Sequence, residues 1–143
     1  MSKKIKEIIY LAGVVVNNSR LLKLVKENYP NVYCHHMTIK YGNISELPDF
    51  IGEEFNFIAN KIYKNDQAIA ITGTPNNSDI QKMMNENNQH AHVTICTAAD
   101  VKPVYSNTLI QEAKGKRIKR HVKMKVGAFC SFDDDSVDWV YER

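Results

Sequence analysis

The sequence predicts an α+β fold in which helices pack on the outside of a mostly antiparallel sheet. Stretches rich in isoleucine and valine, several with alternating apolar and polar residues, recur along the chain and are typical of β-strands. Polar segments with helix-capping residues separate some of these stretches. Because the chain has 143 residues and no Pro- or Gly-rich linker, we expect a single domain over residues 1–143.

Each predicted element has a local signal. Strands are predicted at positions 8–16, 32–40, 54–63, 67–72, 89–97, 117–131 and 137–141. Helices are predicted at positions 20–28, 78–87 and 107–114. Ser19 and Ser78 are typical N-caps for the first two helices, and Gly115 stops the third. Residues 64–66 are expected to join two strands as a hairpin.

Composition excludes several classes of protein. Hydrophobic residues make up 43% of the chain and charged residues 24%, which is typical of a globular rather than a disordered protein. The net charge of +3 permits an anionic ligand without requiring one. Cys34, Cys96 and Cys130 form no Cys-x-x-Cys pair, so we expect no disulfide framework and a reducing cytoplasm. No apolar run is long enough to cross a membrane.

Two short segments share the pattern His–apolar–Thr–apolar: His36-Met37-Thr38-Ile39 and His92-Val93-Thr94-Ile95. Each lies in a predicted strand, where alternate side chains point to opposite faces. The histidine and threonine of each motif are therefore expected on one face and the apolar residues on the other. A single His-x-Thr has a ready structural explanation, but two copies at matched strand positions favour a paired role.

These four polar side chains suit acid–base chemistry at a phosphorus centre. Cleavage of a phosphodiester needs a base, an acid for the leaving oxygen, and donors for the charged phosphoryl oxygens. Histidine titrates near neutral pH, so either His36 or His92 can be the base while the other is the acid. Thr38 and Thr94 can donate to the phosphoryl oxygens. We therefore predict these four residues as catalytic, with no metal or other cofactor.

The paired motifs resemble those of the 2H phosphoesterases, a superfamily that includes 2′–5′ RNA ligase-like proteins, cyclic phosphodiesterases and phage enzymes that degrade cyclic-nucleotide signals. Residues 35–42 are similar to the first motif region of the branch related to tRNA-ligase phosphodiesterase domains. The resemblance implies a bilobal α+β duplication over nearly the whole chain, with both motif strands facing a central cleft.

The resemblance also implies a substrate class. We expect a metal-independent phosphodiesterase that cleaves a cyclic nucleotide or a cyclic oligonucleotide signal, with a viral anti-defence role as a further hypothesis. Processing of 2′,3′-cyclic phosphates at RNA ends is the alternative. The expected partners are therefore nucleotides or RNA ends and not a membrane.

Several residues near the motifs have two explanations. Tyr10, Tyr41 and Trp139 are candidates for stacking on a nucleotide base, although core or rim packing is the stronger explanation for each. His35 is expected to point away from the cleft, because it alternates with His36, while His90 would reach the cleft rim.

Capping and charge account for the remaining polar residues that stand out. Ser106 and Asn107 are expected to cap a helix. The basic stretch 114–125 is either a solvent-facing strand edge or a positively charged lip that attracts phosphate-bearing ligands.

The competing hypothesis is a binding module that holds RNA or a nucleotide without turnover. Such a module would depend on the lysines between 116 and 125 rather than on His36 and His92. A purely structural interaction protein leaves the paired histidines unexplained.

Overall fold

The computed structural model describes residues 3–143. The elements follow the order β1 (Ile5–Val15), α1 (Ser19–Leu22), β2 (Asn31–Val32), β3 (His36–Tyr41), β4 (Glu54–Lys64), β5 (Ala68–Pro75), α2 (Ser78–Glu86), β6 (His92–Thr97), α3 (Tyr105–Glu112), β7 (Lys116–Phe132) and β8 (Val137–Val140). All strand pairings are antiparallel. The α+β class predicted from the sequence is confirmed.

The sheet is curled so that its two edges meet. Its strand order is β2-β6-β5-β4-β7-β1-β3, and β8 pairs with the end of β7. The edge strands β2 and β3 are consecutive in the chain, so the short segment between them must join opposite edges of the sheet. The backbone N–H of Cys34 donates to the carbonyl of Thr94 on β6 (3.0 Å), and that of Val15 on β1 donates to the carbonyl of His35 (2.8 Å). The curl therefore places the motif strands β3 and β6 side by side.

The core lies on the face of the sheet opposite to the motif histidines. Met37 and Ile39 of β3 and Val93 and Ile95 of β6 are fully buried, whereas the histidine and threonine of each motif are half-buried. This confirms the predicted alternation in both strands. Each fully buried aliphatic side chain contributes roughly 1.5–3 kcal/mol. The apolar half of each motif thus anchors the strand that presents the polar half.

The motif strands occupy equivalent positions in an internal repeat. β1, α1 and β3 form the first half, and β5, α2 and β6 form the second. Thr38 pairs with Ala12 in the first half, and Thr94 pairs with Ala70 in the second. Each histidine pairs with the residue two positions beyond that alanine. In each ladder the register shifts immediately before the alanine. The register therefore agrees with the duplication that the resemblance implies.

The predicted first helix is much shorter than expected. The prediction covers 20–28, whereas α1 ends at Leu22, and Ser19 does not act as a cap. Instead, the backbone N–H of Ser19 donates to Oδ1 of Asn17 (3.0 Å). The residues after α1 form backbone hydrogen bonds three positions apart, which is a tighter turn than an α-helix. This turn leads the chain to Tyr29, whose ring is buried in the core.

The predicted strand at 32–40 is interrupted. Cys34 is fully buried and adopts a left-handed backbone with φ of 51°. Few residues other than glycine take this conformation within a strand. The break separates β2 from β3, so the alternation of β3 does not extend back to His35.

The remaining elements differ from the predictions in detail. The hairpin of β4 and β5 is confirmed. The N-cap of α2 is Asn77 rather than Ser78, because Oδ1 of Asn77 accepts the N–H of Ile80 (3.1 Å). β4 pairs with β7 over residues 116–125, whereas β1 pairs with β7 only from Met124 onward. Most of the basic stretch therefore has no strand partner on its other side among residues 3–143, which agrees with the strand-edge interpretation. No helix within residues 3–143 is long and apolar enough to cross a membrane.

Candidate active site

A cleft of about 540 Å³ opens where β3 and β6 meet. This volume lies in the range of sites for small ligands. The cleft is lined by the histidine and threonine of both motifs, and by Tyr33, His35, Tyr41, Gln89, Pro103, Val104 and Asn107. The structure therefore brings together the four residues that the sequence predicts as catalytic: His36, Thr38, His92 and Thr94.

The ring of His92 is held by a hydrogen bond behind it. Its Nδ1 lies 3.1 Å from the backbone carbonyl of His90. Because a carbonyl oxygen only accepts, Nδ1 carries the proton, and Nε2 of the neutral ring has a free lone pair. Burial lowers the pKa of His92, although the hydrogen bond to His90 opposes this shift. A neutral ring with Nε2 unprotonated is the form that a general base requires.

His36 has a strongly lowered pKa. Burial, followed by repulsion from His35 and His92, lowers the pKa of His36 from its ordinary value of 6.5 to about 4. His36 and His92 line the same cleft. Among the described residues that line the cleft there is no Asp or Glu to stabilise a protonated ring. His36 is therefore neutral near pH 7.

The two motif threonines have different surroundings. Oγ1 of Thr94 lies 2.8 Å from Oγ of Ser106 and 3.4 Å from the carbonyl of Pro103. Ser106 belongs to α3 and is fully buried. Thr38 also lines the cleft, but no side-chain hydrogen bond within residues 3–143 holds its hydroxyl. Thr38 can therefore turn its proton towards a ligand, whereas the position of Thr94 is fixed by α3.

Aromatic rings surround His36 on the side of the first half. Tyr41 lines the cleft and is 72% exposed. Tyr10 stacks on Tyr41 with ring centroids 6.0 Å apart and lies 5.5 Å from the ring of His36. Trp139 lies 5.9 Å from His36 and 5.5 Å from His35. Of the three aromatic candidates, Tyr41 lines the cleft, whereas Tyr10 and Trp139 do not line it and pack against the ring of His36.

The expectation that His35 points away from the cleft is wrong. His35 lines the cleft, and its Nδ1 lies 3.1 Å from Nδ1 of His36. The sequence argument assumed an unbroken strand through this position, and the left-handed backbone at Cys34 removes that assumption. The sequence signal for a role of His35 in the site was its position next to His36.

Two further expectations about neighbouring residues are also corrected. Ser106 does not cap α3, because it is the second residue of that helix and its hydroxyl contacts Thr94. Asn107 lines the cleft. His90 is exposed and approaches the site through its backbone carbonyl, not through its ring in the cleft.

The basic stretch lies on β7, away from the motif strands in the order of the sheet. Lys123 forms an ion pair with Glu54 (3.3 Å), and Nζ of Lys125 lies 5.2 Å from the ring centroid of Tyr141.

Within residues 3–143, no group of three or more His, Cys, Asp or Glu side chains is arranged to hold a metal ion.

A curled antiparallel sheet that presents a His-x-Thr motif from each of two equivalent strands to one cleft defines the chain as a 2H phosphoesterase. The family model of the fungal tRNA ligase phosphodiesterase domain matches residues 17–130, a range that contains both motifs. The chain belongs to this family, and the prediction of a 2H-type phosphodiesterase is confirmed. No curated protein and no solved structure matches the chain.

Proposed function

We propose that the chain hydrolyses a 2′,3′-cyclic phosphate at an RNA end without a metal ion, with His92 as general base and His36 as general acid. The observation that carries this assignment is the bond from Nδ1 of His92 to the carbonyl of His90. It leaves Nε2 of His92 as a lone pair in the cleft that His36 shares. The family match supports an RNA end as the substrate.

The proposed reaction is a single displacement at phosphorus. Nε2 of His92 takes a proton from water as the new P–O bond forms, and the bond from phosphorus to one ribose oxygen breaks. His36 gives a proton to that ribose oxygen, so the product is a phosphomonoester with a free hydroxyl. Thr38 and Thr94 donate to the nonbridging oxygens, where charge develops. Each acid or base typically contributes on the order of 10²–10⁴-fold.

A cyclic nucleotide or cyclic oligonucleotide is the second candidate substrate. The observation that favours it is the ring of Tyr41, which is exposed at the cleft mouth. A second base of such a molecule can stack there, which is worth roughly 1–3 kcal/mol. An anti-defence role would follow only if such a cyclic molecule is the substrate. We also propose a cytoplasmic location, because the free cysteines at positions 34, 96 and 130 are typical of a reducing compartment.

Four substrates in EDTA separate these candidates. They are an RNA oligonucleotide with a 2′,3′-cyclic phosphate end, 2′,3′-cyclic AMP, a cyclic dinucleotide and a cyclic trinucleotide. We expect the RNA end to give the highest kcat/KM and EDTA to have no effect. A strict requirement for added metal would contradict the mechanism, and faster cleavage of a cyclic oligonucleotide would replace the first candidate with the second.

Histidine variants distinguish an enzyme from a binding module. We expect His36→Ala and His92→Ala each to lower kcat by about 10²–10⁴-fold while most substrate affinity remains. His121→Ala is the matched control, because His121 is exposed on β7 outside the cleft. If the wild-type protein binds RNA without turnover, and Lys119→Ala and Lys123→Ala abolish that binding, the binding module is the better description.

A further inference from the structure

His35 makes a polar contact that the two motifs do not explain. Its Nδ1 lies 3.1 Å from Nδ1 of His36, and the two rings are nearly perpendicular, with an interplanar angle of 83°. Trp139 packs against the ring of His35 with centroids 5.5 Å apart. The backbone of His35 is held by β1, because its carbonyl accepts the N–H of Val15 (2.8 Å). The ring is therefore fixed beside His36 while it remains exposed to water.

A contact between two Nδ1 atoms allows only one proton between them. If His36 held that proton, its neutral ring would present a bare Nε2 and could not act as an acid. If His35 holds it, Nδ1 of His36 accepts and the proton of the neutral His36 ring is on Nε2. Only the second arrangement gives a proton to the leaving oxygen without requiring a positive charge on His36.

The surroundings of His36 disfavour a positive charge on its ring. The titratable groups that face His36 are His35, His92 and Tyr10, and none of them supplies a negative charge near neutral pH. Burial, followed by His35 and His92, lowers the pKa of His36 to about 4. The ring of His35, in contrast, is exposed to water.

We propose that His35 is a positioning residue that sets the tautomer of His36 and replaces the proton that His36 gives away. This inference rests on the proposed function, in which His36 is the acid. In the step, the N–H bond at Nε2 of His36 breaks as the ribose oxygen gains the proton. The proton on Nδ1 of His35 moves to Nδ1 of His36, so cationic His35 becomes neutral and His36 stays neutral throughout. The resting state returns when Nε2 of His36 takes a proton from water and the proton on its Nδ1 moves back to Nδ1 of His35.

The test uses kinetics on the best cleaved substrate. His35→Gln keeps an N–H donor near His36 but cannot release a proton, and His35→Ala removes both functions. We expect both variants to lower kcat by about 10²-fold, the lower end of the acid contribution, with little change in KM. Imidazole added to the buffer should restore kcat of His35→Ala in a concentration-dependent way, because the vacated position is open to solvent. It should not affect His121→Ala, the exposed histidine control.

Two results would overturn the proposal. One is a His35→Ala protein whose kcat equals that of the wild type across pH while His36→Ala is inactive. The proposed function would then hold, but His35 would have no part in it. The other is a ¹⁵N spectrum in which Nδ1 of His36 carries the proton in the neutral protein. The spectrum needs no turnover, so it tests the tautomer of His36 even if every candidate substrate proves inert. Inert substrates would contradict the proposed function but would leave the proposed role of His35 in setting that tautomer open to this test.

Discussion

At the scale of single residues, the two motif threonines differ in what they contribute to stability. We expect Thr38→Val and Thr94→Val each to lower kcat by about 10²–10³-fold, the cost of one lost donor to a charged transition state. Thr94→Val also leaves the buried hydroxyl of Ser106 without its partner, so it should cost about 1–3 kcal/mol of unfolding free energy. Thr38→Val should cost much less, because no such partner is lost.

Urea unfolding and steady-state kinetics on the two valine variants check this difference. Thr74→Val, at an exposed position of β5 outside the cleft, controls for the change of residue type. Equal stability losses at Thr38 and Thr94 would show that Ser106 does not depend on Thr94. The hydroxyl pair could not be predicted from the sequence, because Ser106 reads there as an ordinary helix cap.

His36 also gives the protein a stability that depends on pH. Its pKa is lowered from 6.5 in the unfolded chain to about 4 in the folded protein, so the unfolded state binds more protons between these values. The contribution is therefore complete above about pH 6.5 and is lost as pH falls towards 4. The loss should be on the order of 3 kcal/mol.

Urea unfolding between pH 4 and pH 7.5 measures this loss. His36→Gln should flatten the dependence, and His121→Gln, at an exposed position, should leave it unchanged. Equal slopes for the wild type and His36→Gln would contradict the lowered pKa.

At the scale of elements, the segment between β2 and β3 decides whether the two motif strands meet. Cys34 in this segment is buried with φ of 51°, and its N–H bonds to Thr94 on β6. A β-branched residue is strongly disfavoured in this conformation. We expect Cys34→Val to lower the unfolding free energy by at least about 2 kcal/mol and to lower kcat as β3 shifts relative to β6.

Cys130→Val is the matched control for this prediction. Cys130 is equally buried but lies within β7 and has no positive φ, so the same chemical change should cost less than about 1.5 kcal/mol there. Denaturation midpoints and kcat of the two variants are the measurements. Similar losses at both cysteines would mean that the backbone at Cys34 is not what holds the strands together.

The sequence predicted strands better than it predicted the places where strands break. Alternation identified the buried and cleft faces of β3 and β6, because burial of one face imposes a period of two. It failed at His35, since nothing in the residue type of Cys34 indicates a left-handed backbone. It also overextended α1, where the apolar spacing suits a helix but Tyr29 is packed into the core through a tighter turn.

At the scale of the whole molecule, the two repeated halves are bound into one sheet. The ladder of β4 with β7 joins them, because β4 also pairs with β5 of the second half and β7 also pairs with β1 of the first. Residues 33–35 join them again on the other side. Both halves contribute to one core, which includes Met37 and Val93. The site therefore depends on both halves being folded at the same time.

We accordingly propose that the chain is a single cooperative domain and predict two-state unfolding. Trp139 is the only tryptophan and packs against the first half, so its fluorescence reports the unfolding of that half. Far-UV circular dichroism reports the unfolding of the whole sheet. The double variant Trp139→Phe, Tyr105→Trp moves the reporter to α3, against Ala70 of the second half. In urea, all three signals should give one midpoint and one slope. A fluorescence midpoint that differs between the two reporters, each compared with circular dichroism on the same protein, would mean that the halves unfold separately and that the cleft can open without global unfolding.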